Sequence, residues 1–262
     1  MSNRVLIDPA ILTEIADAIR AKDGSSGAIT PANMADAVAA IPSGGAAVTD
    51  GIVVKARDAN GYATEVDFYG TIVQPQQFYN RTIADGTWNK LQTVNFKNEV
   101  TEIKLRGFDH CRNVIFSQLD SVITISDYAL EENGSISLSF PNLASVGTFS
   151  FLGMNELVTI TLPKVTNFNK NGVLRGCTAL QNVTIGSVGY AVTAMNNLAF
   201  QSDTQTGLTI TVFTTGDKAD TIVANIRNSA TAATIVIKAA EATTYNGTSY
   251  AAGDTILTSE VA

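Results

Sequence analysis

The sequence is poor in charge and in the side chains that most often carry chemistry. Charged residues fill 16% of the 262 positions, histidine occurs once and cysteine twice. The usual charged share of a soluble domain is about a quarter, so Thr, Ser and Asn must supply much of the polar surface. Apolar residues nevertheless make up 45% of the chain. This amount of material for burial excludes an intrinsically disordered chain.

Basic residues are also few, which limits the possible partners. The chain has 17 basic and 24 acidic residues, for a formal net charge of −7. Proteins that bind nucleic acid draw most of their affinity from Lys and Arg on phosphates, and the sequence contains no basic stripe. We therefore expect neither nucleic acid nor an anionic membrane surface as a partner.

Long apolar runs are absent as well. No stretch of about 18 apolar residues occurs, so the sequence predicts no membrane insertion. The first residues, MSNRVLIDPAILTEIADAIRAK, carry Asp8, Glu14 and Asp17 where a signal peptide needs an apolar core. The expectation is a protein made in the cytoplasm without a signal peptide, so that something else must carry it if it works outside a cell.

Motifs of enzymes are missing too. There is no G-x-S-x-G, no phosphate-binding glycine loop and no calcium loop. Two carboxylate pairs are candidates by type alone. Glu131 and Glu132 are predicted to lie in a solvated turn, and Glu65 and Asp67 to share one face of a strand without a partner base. The sequence therefore predicts a non-enzymatic protein with no catalytic residues, no cofactor and no bound metal.

Residues 1–42 are predicted to form two short helices. Asp8-Pro9 and Thr30-Pro31 each combine an N-cap with proline at the first helical position. An apolar stripe at helical spacing follows each start. Helices of about three turns are not stable alone, so this segment is predicted to be an anchor that docks on the rest of the chain, on a copy of itself or on a larger assembly. A simple cap of the domain is the alternative.

Residues 43–90 are predicted to be a linker followed by a β-hairpin. The linker begins with SGGAA, a short flexible joint. Apolar and polar residues then alternate on both sides of Asn60-Gly61, the strongest short-range signal for a tight hairpin. The pattern places strands near 52–57 and 62–69.

From about residue 91 to 205 the sequence repeats with a period of about 22 residues. The clearest unit is ELVTITLPKVTNFNKNGVLRGC, residues 156–177. Units end at Cys111, Asn133, Met154 and Cys177, at spacings of 22, 21 and 23. A fixed period with apolar slots is typical of a solenoid. The predicted fold class is therefore mainly β, a β-solenoid preceded by the helical hairpin and the β-hairpin region.

Alternation within each unit predicts which side chains face inward. Ile160 and Leu162 alternate with Thr159 and Thr161, so a short strand points two apolar residues in and two hydroxyls out. The same frame predicts the inward pairs Val94/Phe96, Val114/Phe116, Leu138/Phe140, Val183/Ile185 and Ile210/Val212. It predicts an opposite wall from Leu119/Val122, Leu143/Val146 and Val165/Phe168.

Stacked strands of this kind predict a neutral polar outer face, which is the candidate binding face. Its predicted members are Thr93, Asn95, Asn113, Ser137, Ser139, Thr159, Thr161, Asn182, Thr184, Thr209 and Thr211. The alternative is that Thr and Ser occur there only because they favour strands and keep the surface soluble.

Residues 206–262 are predicted to cap the last coil, because terminal coils must shield an apolar layer. Helical spacing predicts a helix over 217–230, and TIVIKAA predicts one more strand. A second Asn-Gly turn lies between Tyr245 and Tyr250 and predicts a closing hairpin. These two tyrosines are the candidate aromatic contacts for a ligand.

The repeat also accounts for the two cysteines. Cys111 and Cys177 lie 66 residues apart, which is three coils. At ~4.8 Å per coil their separation is ~14 Å, beyond the ~7 Å limit between Cα atoms for a disulfide. Both are predicted to be small buried hydrophobic residues. His110, beside Cys111, lacks the further ligands that zinc needs.

Two resemblances join these observations. LVTITLPKVTNF…LRGC resembles the BspA-like, surface-antigen type of leucine-rich repeat, over residues about 91–200. Residues 12–41, LTEIADAIRAKDGSSGAITPANMADAVAAI, resemble a helical segment near the start of phage tail and tail-fibre proteins. The first resemblance implies a leucine-rich-repeat-type solenoid that serves adhesion or partner binding. The second implies a virion, and neither supplies catalytic residues.

The resulting functional hypothesis is a bacteriophage tail-fibre or tail-tip protein, located in the virion, which presents its solenoid to a host cell-surface glycan or protein. Residues 1–42 are expected to contact other virion tail proteins and to form a homo-oligomer, with a trimer favoured. A purely structural virion subunit, in the baseplate or as a capsid decoration, is one alternative. A bacterial surface adhesin is another.

Charged substitutions test the assignment of inward and outward side chains. Leu138→Asp or Ile160→Asp should unfold the stack, because each buries an unpaired carboxylate between coils. Thr159→Asp and Thr161→Asp should leave folding nearly unchanged, as measured by circular dichroism during urea denaturation. Equal damage from both sets would show that the assignment is wrong.

Overall fold

The structure is a computed structural model that describes residues 51–79, 88, 90–116, 118–201 and 206–259. The predicted helical anchor of residues 1–42 lies outside these residues. The described chain is mainly β and forms a solenoid, which confirms the predicted fold class.

A β-hairpin begins the described chain, as predicted. Strands β1 (Ile52–Arg57) and β2 (Ala63–Phe68) pair antiparallel. The carboxylate of Asp58 accepts hydrogen bonds from the backbone N–H groups of Asn60 and Tyr62, both at 2.9 Å. Strand β2 then pairs in parallel with the next strand along the stack. The second strand of the hairpin is therefore also the first rung of the solenoid.

The solenoid has two walls of strands, and each of its first six coils contributes one strand to both. The first wall contains β2, β4 (Thr93–Phe96), β6 (Ile115–Phe116), β8 (Ser137–Ser139), β10 (Thr159–Leu162), β12 (Asn182–Ile185), β14 (Thr209–Thr214) and β15 (Thr234–Ala239). The second wall contains β3 (Ile72–Val73), β5 (Glu102–Ile103), β7 (Thr124–Ile125), β9 (Ser145–Val146), β11 (Asn167–Phe168) and β13 (Ala194–Met195). Neighbouring strands within each sheet of these walls pair in parallel, and each wall is divided into two sheets, between β6 and β8 and between β9 and β11.

The interior between the walls is apolar. The predicted inward side chains are buried, except that Phe116 is half-buried. Ile160 and Leu162 are 0% exposed, and Phe168 faces them from the second wall with the same value. Full burial of one such side chain contributes about 1.5–3 kcal/mol to stability, so each coil adds several such contributions.

One coil aligns differently from the prediction in both walls. Val94 pairs with Phe116 and not with Val114, so the predicted first-wall register is wrong by two residues. Asn113 consequently lies in the turn before β6 and not in a strand. In the second wall, Ile125 pairs with Val146, where the frame had placed Val122. This coil lacks the proline that marks the turn in later ones. The two-residue shift in the first wall keeps its side chains on their predicted sides, whereas the second-wall frame was wrong by three residues.

The third side of each coil is a turn that stacks on the next turn through backbone hydrogen bonds. The N–H of Phe108 donates to Ala129, 2.8 Å, and the N–H of Leu130 donates to Ser150, 2.9 Å. Such bonds satisfy backbone groups that would otherwise lie unpaired beside the core. The turns of adjacent coils are therefore joined by regular backbone hydrogen bonds, as the strands are.

A column of left-handed residues runs along this turn. Arg106, Tyr128, Phe149 and Gly172 occupy the same slot in four successive coils, with φ between +55° and +57°. The Arg106 guanidinium lies 4.5 Å from the Tyr128 ring centre, and the rings of Tyr128 and Phe149 are 5.2 Å apart. A Cβ at position 172 would lie 2.3 Å from the Phe149 ring. Stacking of side chains thus offsets the backbone cost of a left-handed residue, about 1–2 kcal/mol.

The C-terminal part closes the stack. Helix α1 (Gly216–Arg227) buries Ala219, Ile222 and Ile226. Strands β16 (Thr243–Tyr245) and β17 (Thr248–Tyr250) form the predicted hairpin. Strand β18 (Thr255–Ser259), which was not predicted, pairs antiparallel with β15. Within the described ranges, no helix combines the length and apolarity of a membrane span.

Substitution of Gly172 tests the column of left-handed residues. Gly172→Ala should lower the free energy of unfolding by about 2–4 kcal/mol, because the left-handed backbone and the contact with Phe149 both oppose a Cβ. Gly61→Ala is the matched control, since Gly61 has φ +85° but no atom within 4 Å of the added Cβ. It should cost about 1 kcal/mol. Equal urea midpoints for the two variants would contradict the contact.

Candidate functional site

The outer face of the first wall is the predicted binding face, and its geometry is regular. Thr159 pairs with Ser137 on one side and with Asn182 on the other. Thr161 pairs in the same way with Ser139 and Thr184. The outward side chains therefore form two columns across neighbouring strands, with rungs ~4.8 Å apart. All eleven predicted members are exposed or half-exposed, although Asn113 stands in a turn beside the columns.

The N-terminal end of this face is charged, because β2, which the prediction had not included in the face, extends it by one rung. Glu65 and Asp67 share the outward side of β2, and the amide of Asn95 donates to both, at 2.8 and 3.1 Å. The Lys97 ammonium lies 3.2 Å from Asp67, which is only 5% exposed. These carboxylates are held by an amide and an ammonium, and the arrangement is that of a structural ion-pair network.

A second ionic cluster lies at the turn corner, and sequence reasoning missed it. Asp109 is 0% exposed and Glu131 is 4% exposed, so the prediction that Glu131 is solvated is wrong. The Arg106 guanidinium contacts Asp109 at 2.5 Å and Glu131 at 3.4 Å. His110 contacts the carboxylate of Asp109, and its other nitrogen lies 3.4 Å from Glu132. Burial lowers the pKa of Arg106, but Asp109 and Glu131 outweigh burial and raise it overall.

The period of the repeat carries the signal for this cluster. Asp109 and Glu131 are 22 residues apart, and so are His110 and Glu132. Residues one period apart occupy the same slot of adjacent coils and therefore stack. A glutamate in a turn is predicted to be solvated when its own coil alone is considered. Glu131 is buried because it stacks on Asp109 of the preceding coil and contacts Arg106.

The same cluster contains the side chains best suited to hold a metal. Asp109, His110 and Glu131 place one ligand atom each within 4.8 Å of one another. The Arg106 guanidinium, however, already sits against both carboxylates. A divalent cation would have to displace this fixed positive charge, so the geometry favours an ion-pair network. The absence of a metal site stays a prediction.

Both cysteines are buried and neither forms a disulfide, as predicted. The Cys111 thiol donates to the Phe78 carbonyl at 2.7 Å, and the Cys177 thiol to the Phe151 carbonyl at 3.1 Å. Burial, with a contribution from Asp109, raises the pKa of the Cys111 thiol far above its ordinary value. A thiol that resists ionisation is a poor nucleophile, so Cys111 acts as a packing residue.

The candidate aromatic contacts are partly used by the fold. Tyr245 and Tyr250 are half-exposed and pack against the core. The Tyr245 hydroxyl donates to Asp220 of helix α1 at 2.6 Å, and this hydrogen bond raises the pKa of Tyr245 above its ordinary value. Tyr245 therefore ties the hairpin to the helix, and its hydroxyl is not free for a ligand.

Comparison with known proteins supports the repeat assignment. Residues 85–207 match, in six copies, the family described as BspA type Leucine rich repeat region. The resemblance of the repeats is therefore confirmed, and the chain carries leucine-rich repeats of this type. No curated protein and no solved structure matches the chain.

Removal of one charge tests the buried corner cluster. Asp109→Asn leaves the Arg106 guanidinium without its closest counter-charge and should lower the free energy of unfolding by about 3 kcal/mol. Glu132→Gln is the control in the same cluster, because the Glu132 side chain is 32% exposed and pairs with an exposed arginine. It should cost about 1 kcal/mol or less. Small and equal losses in urea denaturation would mean that the cluster is effectively solvated.

Proposed function

We propose that this leucine-rich-repeat solenoid is a non-catalytic recognition protein of a phage tail, and that it binds a host cell-surface glycan or protein. The observation that carries the proposal is the outer face from β8 to β14. Apart from the half-exposed Phe213, its outward side chains are hydroxyls and amides, for example Ser139, Thr161 and Thr184, held at regular intervals on paired strands. Such a rigid face loses little conformational entropy when it binds.

The chemistry of the described side chains fits recognition better than catalysis. The carboxylates of Asp67, Asp109 and Glu131 are engaged with lysine or arginine. Cys111 is buried with a raised pKa. General acid–base or nucleophilic catalysis needs such groups free and poised near neutral pH. We therefore propose that the protein is not an enzyme.

Assembly on a tail would make weak contacts sufficient. The resemblance of residues 12–41 to a segment of phage tail proteins supports this context. A homo-oligomer anchored through residues 1–42 would present several identical faces, and linked copies raise avidity by ~10²–10⁴. Each face could then bind its ligand weakly.

A specific observation favours the alternative of a structural virion subunit. Ile115 and Ile136 are 69% and 61% exposed, and exposed apolar side chains suit contact with another protein. A bacterial surface adhesin is favoured by the repeat family itself. Locating the chain on the tail or the capsid of purified particles, or finding it in no particle, separates these possibilities.

Binding to host cells tests the proposal. Ser139→Arg combined with Thr161→Arg should reduce binding of the labelled full chain by about tenfold or more, because two long cations interrupt the polar columns. Ser145→Arg is the matched control, since Ser145 is an exposed serine of the same coil on the second wall. Flow cytometry measures both. The proposal fails if the unmodified protein binds no host cell, or if the control loses as much binding.

A further inference from the structure

A shallow trough follows the corner where the outer face turns into the second wall. The corner trough is an open cavity of about 580 Å³ whose lining includes Asn98, Glu99, Gln118, Asp120, Ile123 and Asn142. These residues come from three successive coils. We propose that the corner trough binds a neutral, N-acetylated glycan chain. This inference rests on the proposed function and names the ligand class.

The corner trough is held in shape by side chains that bridge adjacent coils. The amide of Asn142 donates to the Asp120 carbonyl at 2.7 Å, and its oxygen accepts from Lys164 at 2.6 Å. The amide of Asn98 donates to the carbonyl of Tyr69 in the preceding coil. A preformed site of this kind avoids the cost of ordering side chains on binding.

Exposed tyrosines lie along the stack beyond the lining of the corner trough, one in the coil before it and one two coils after it. Tyr69 is 47% exposed beside Asn98, and Tyr190 is 40% exposed with the Lys164 ammonium 5.7 Å from its ring centre. Five coil steps separate the two tyrosines, or ~24 Å at ~4.8 Å per step. Aromatic rings offer an apolar surface together with a polar tip, which suits the apolar faces of sugar rings. The spacing leaves room for a chain of several sugar units.

The polar groups between the tyrosines match sugar hydroxyls and acetamido groups. Gln118 offers both a donor and an acceptor, and Glu99 and Asp120 offer acceptors. Within the described part of the chain, the side chains of these three residues make no hydrogen bond. They are exposed and therefore available to a ligand.

Charge in the corner trough selects against acidic glycans. Lys97 is paired with Asp67 at 3.2 Å, and Lys164, bonded to the neutral amide of Asn142, keeps one positive charge. The two carboxylates of Glu99 and Asp120 outnumber it and leave a net negative charge. Sulfate, phosphate or uronic acid groups would be repelled, whereas hydroxyl and acetamido groups would not.

An extended peptide fits the corner trough less well. Peptides gain affinity from free strand edges or from apolar side-chain pockets. Here the backbone is already paired, for example from the N–H of Ile123 to Thr101 at 2.8 Å and from the N–H of Ala144 to Ile123 at 2.9 Å. Ile123 is the exposed apolar side chain of the lining. The lining thus favours a glycan.

Calorimetric titration of the full chain with an N-acetylglucosamine tetramer tests the proposal. Tyr69→Ala and Gln118→Ala should each weaken binding by about tenfold, because each removes one ligand contact. Tyr62→Ala is the matched control, since Tyr62 is 39% exposed but lies in the β1–β2 hairpin turn, and it should leave the affinity unchanged. All three side chains are exposed, and unchanged urea midpoints would verify that the variants fold.

The proposal is overturned if the tetramer does not bind, or if Tyr69→Ala and Gln118→Ala bind it as tightly as the unmodified chain. Tighter binding of a heparin-type sulfated saccharide, or competition by a proline-rich peptide, would also overturn it. If the protein binds host cells but not the tetramer, glycan binding in the corner trough is wrong and the proposed function is unaffected. If it binds neither host cells nor the tetramer, both proposals are wrong.

Discussion

Parallel pairing of successive coils over a dry interior is the constraint on which the whole molecule depends. Strands such as β7 and β9 contain only two residues each, far too short to be stable alone. They persist because the same slot of the next coil supplies a partner for the backbone and another apolar side chain for the core. Ile160, for example, pairs with Leu138 below and Val183 above, and all three are 3% exposed or less.

The same stacking aligns equivalent residues of successive coils in columns, and such columns make up much of the solenoid surface. An outward slot repeated in each coil makes a row of hydroxyls, as Ser139, Thr161 and Thr184 do. A turn slot repeated in two coils makes the buried pair of Asp109 and Glu131. Sites in such a fold are therefore extended along the stack and not gathered in a deep cavity. This shape is suited to long or multivalent ligands.

Rigidity and low charge act together in this surface. Side-chain bridges such as those of Asn142 hold neighbouring coils at fixed spacing, and a preformed surface spends little entropy on binding. Ion pairs in the described residues occur at the N-terminal rungs and at the turn corner, where carboxylates meet lysine or arginine. The middle of the outer face is left neutral, and contacts there depend on hydrogen bonds and shape.

The amino-acid sequence by itself determined the period, the hairpin at Asn60-Gly61, the C-terminal helix and the inward or outward direction of each strand residue, because these follow from local spacing. Only the tertiary structure decided the register around Phe116, since a shift by two residues leaves every side chain on the same side of a strand. It also decided the burial of Glu131, which depends on Arg106 one coil away. Local patterns fix which way a side chain points, whereas its neighbours in the adjacent coil are set by backbone pairing that the pattern does not encode.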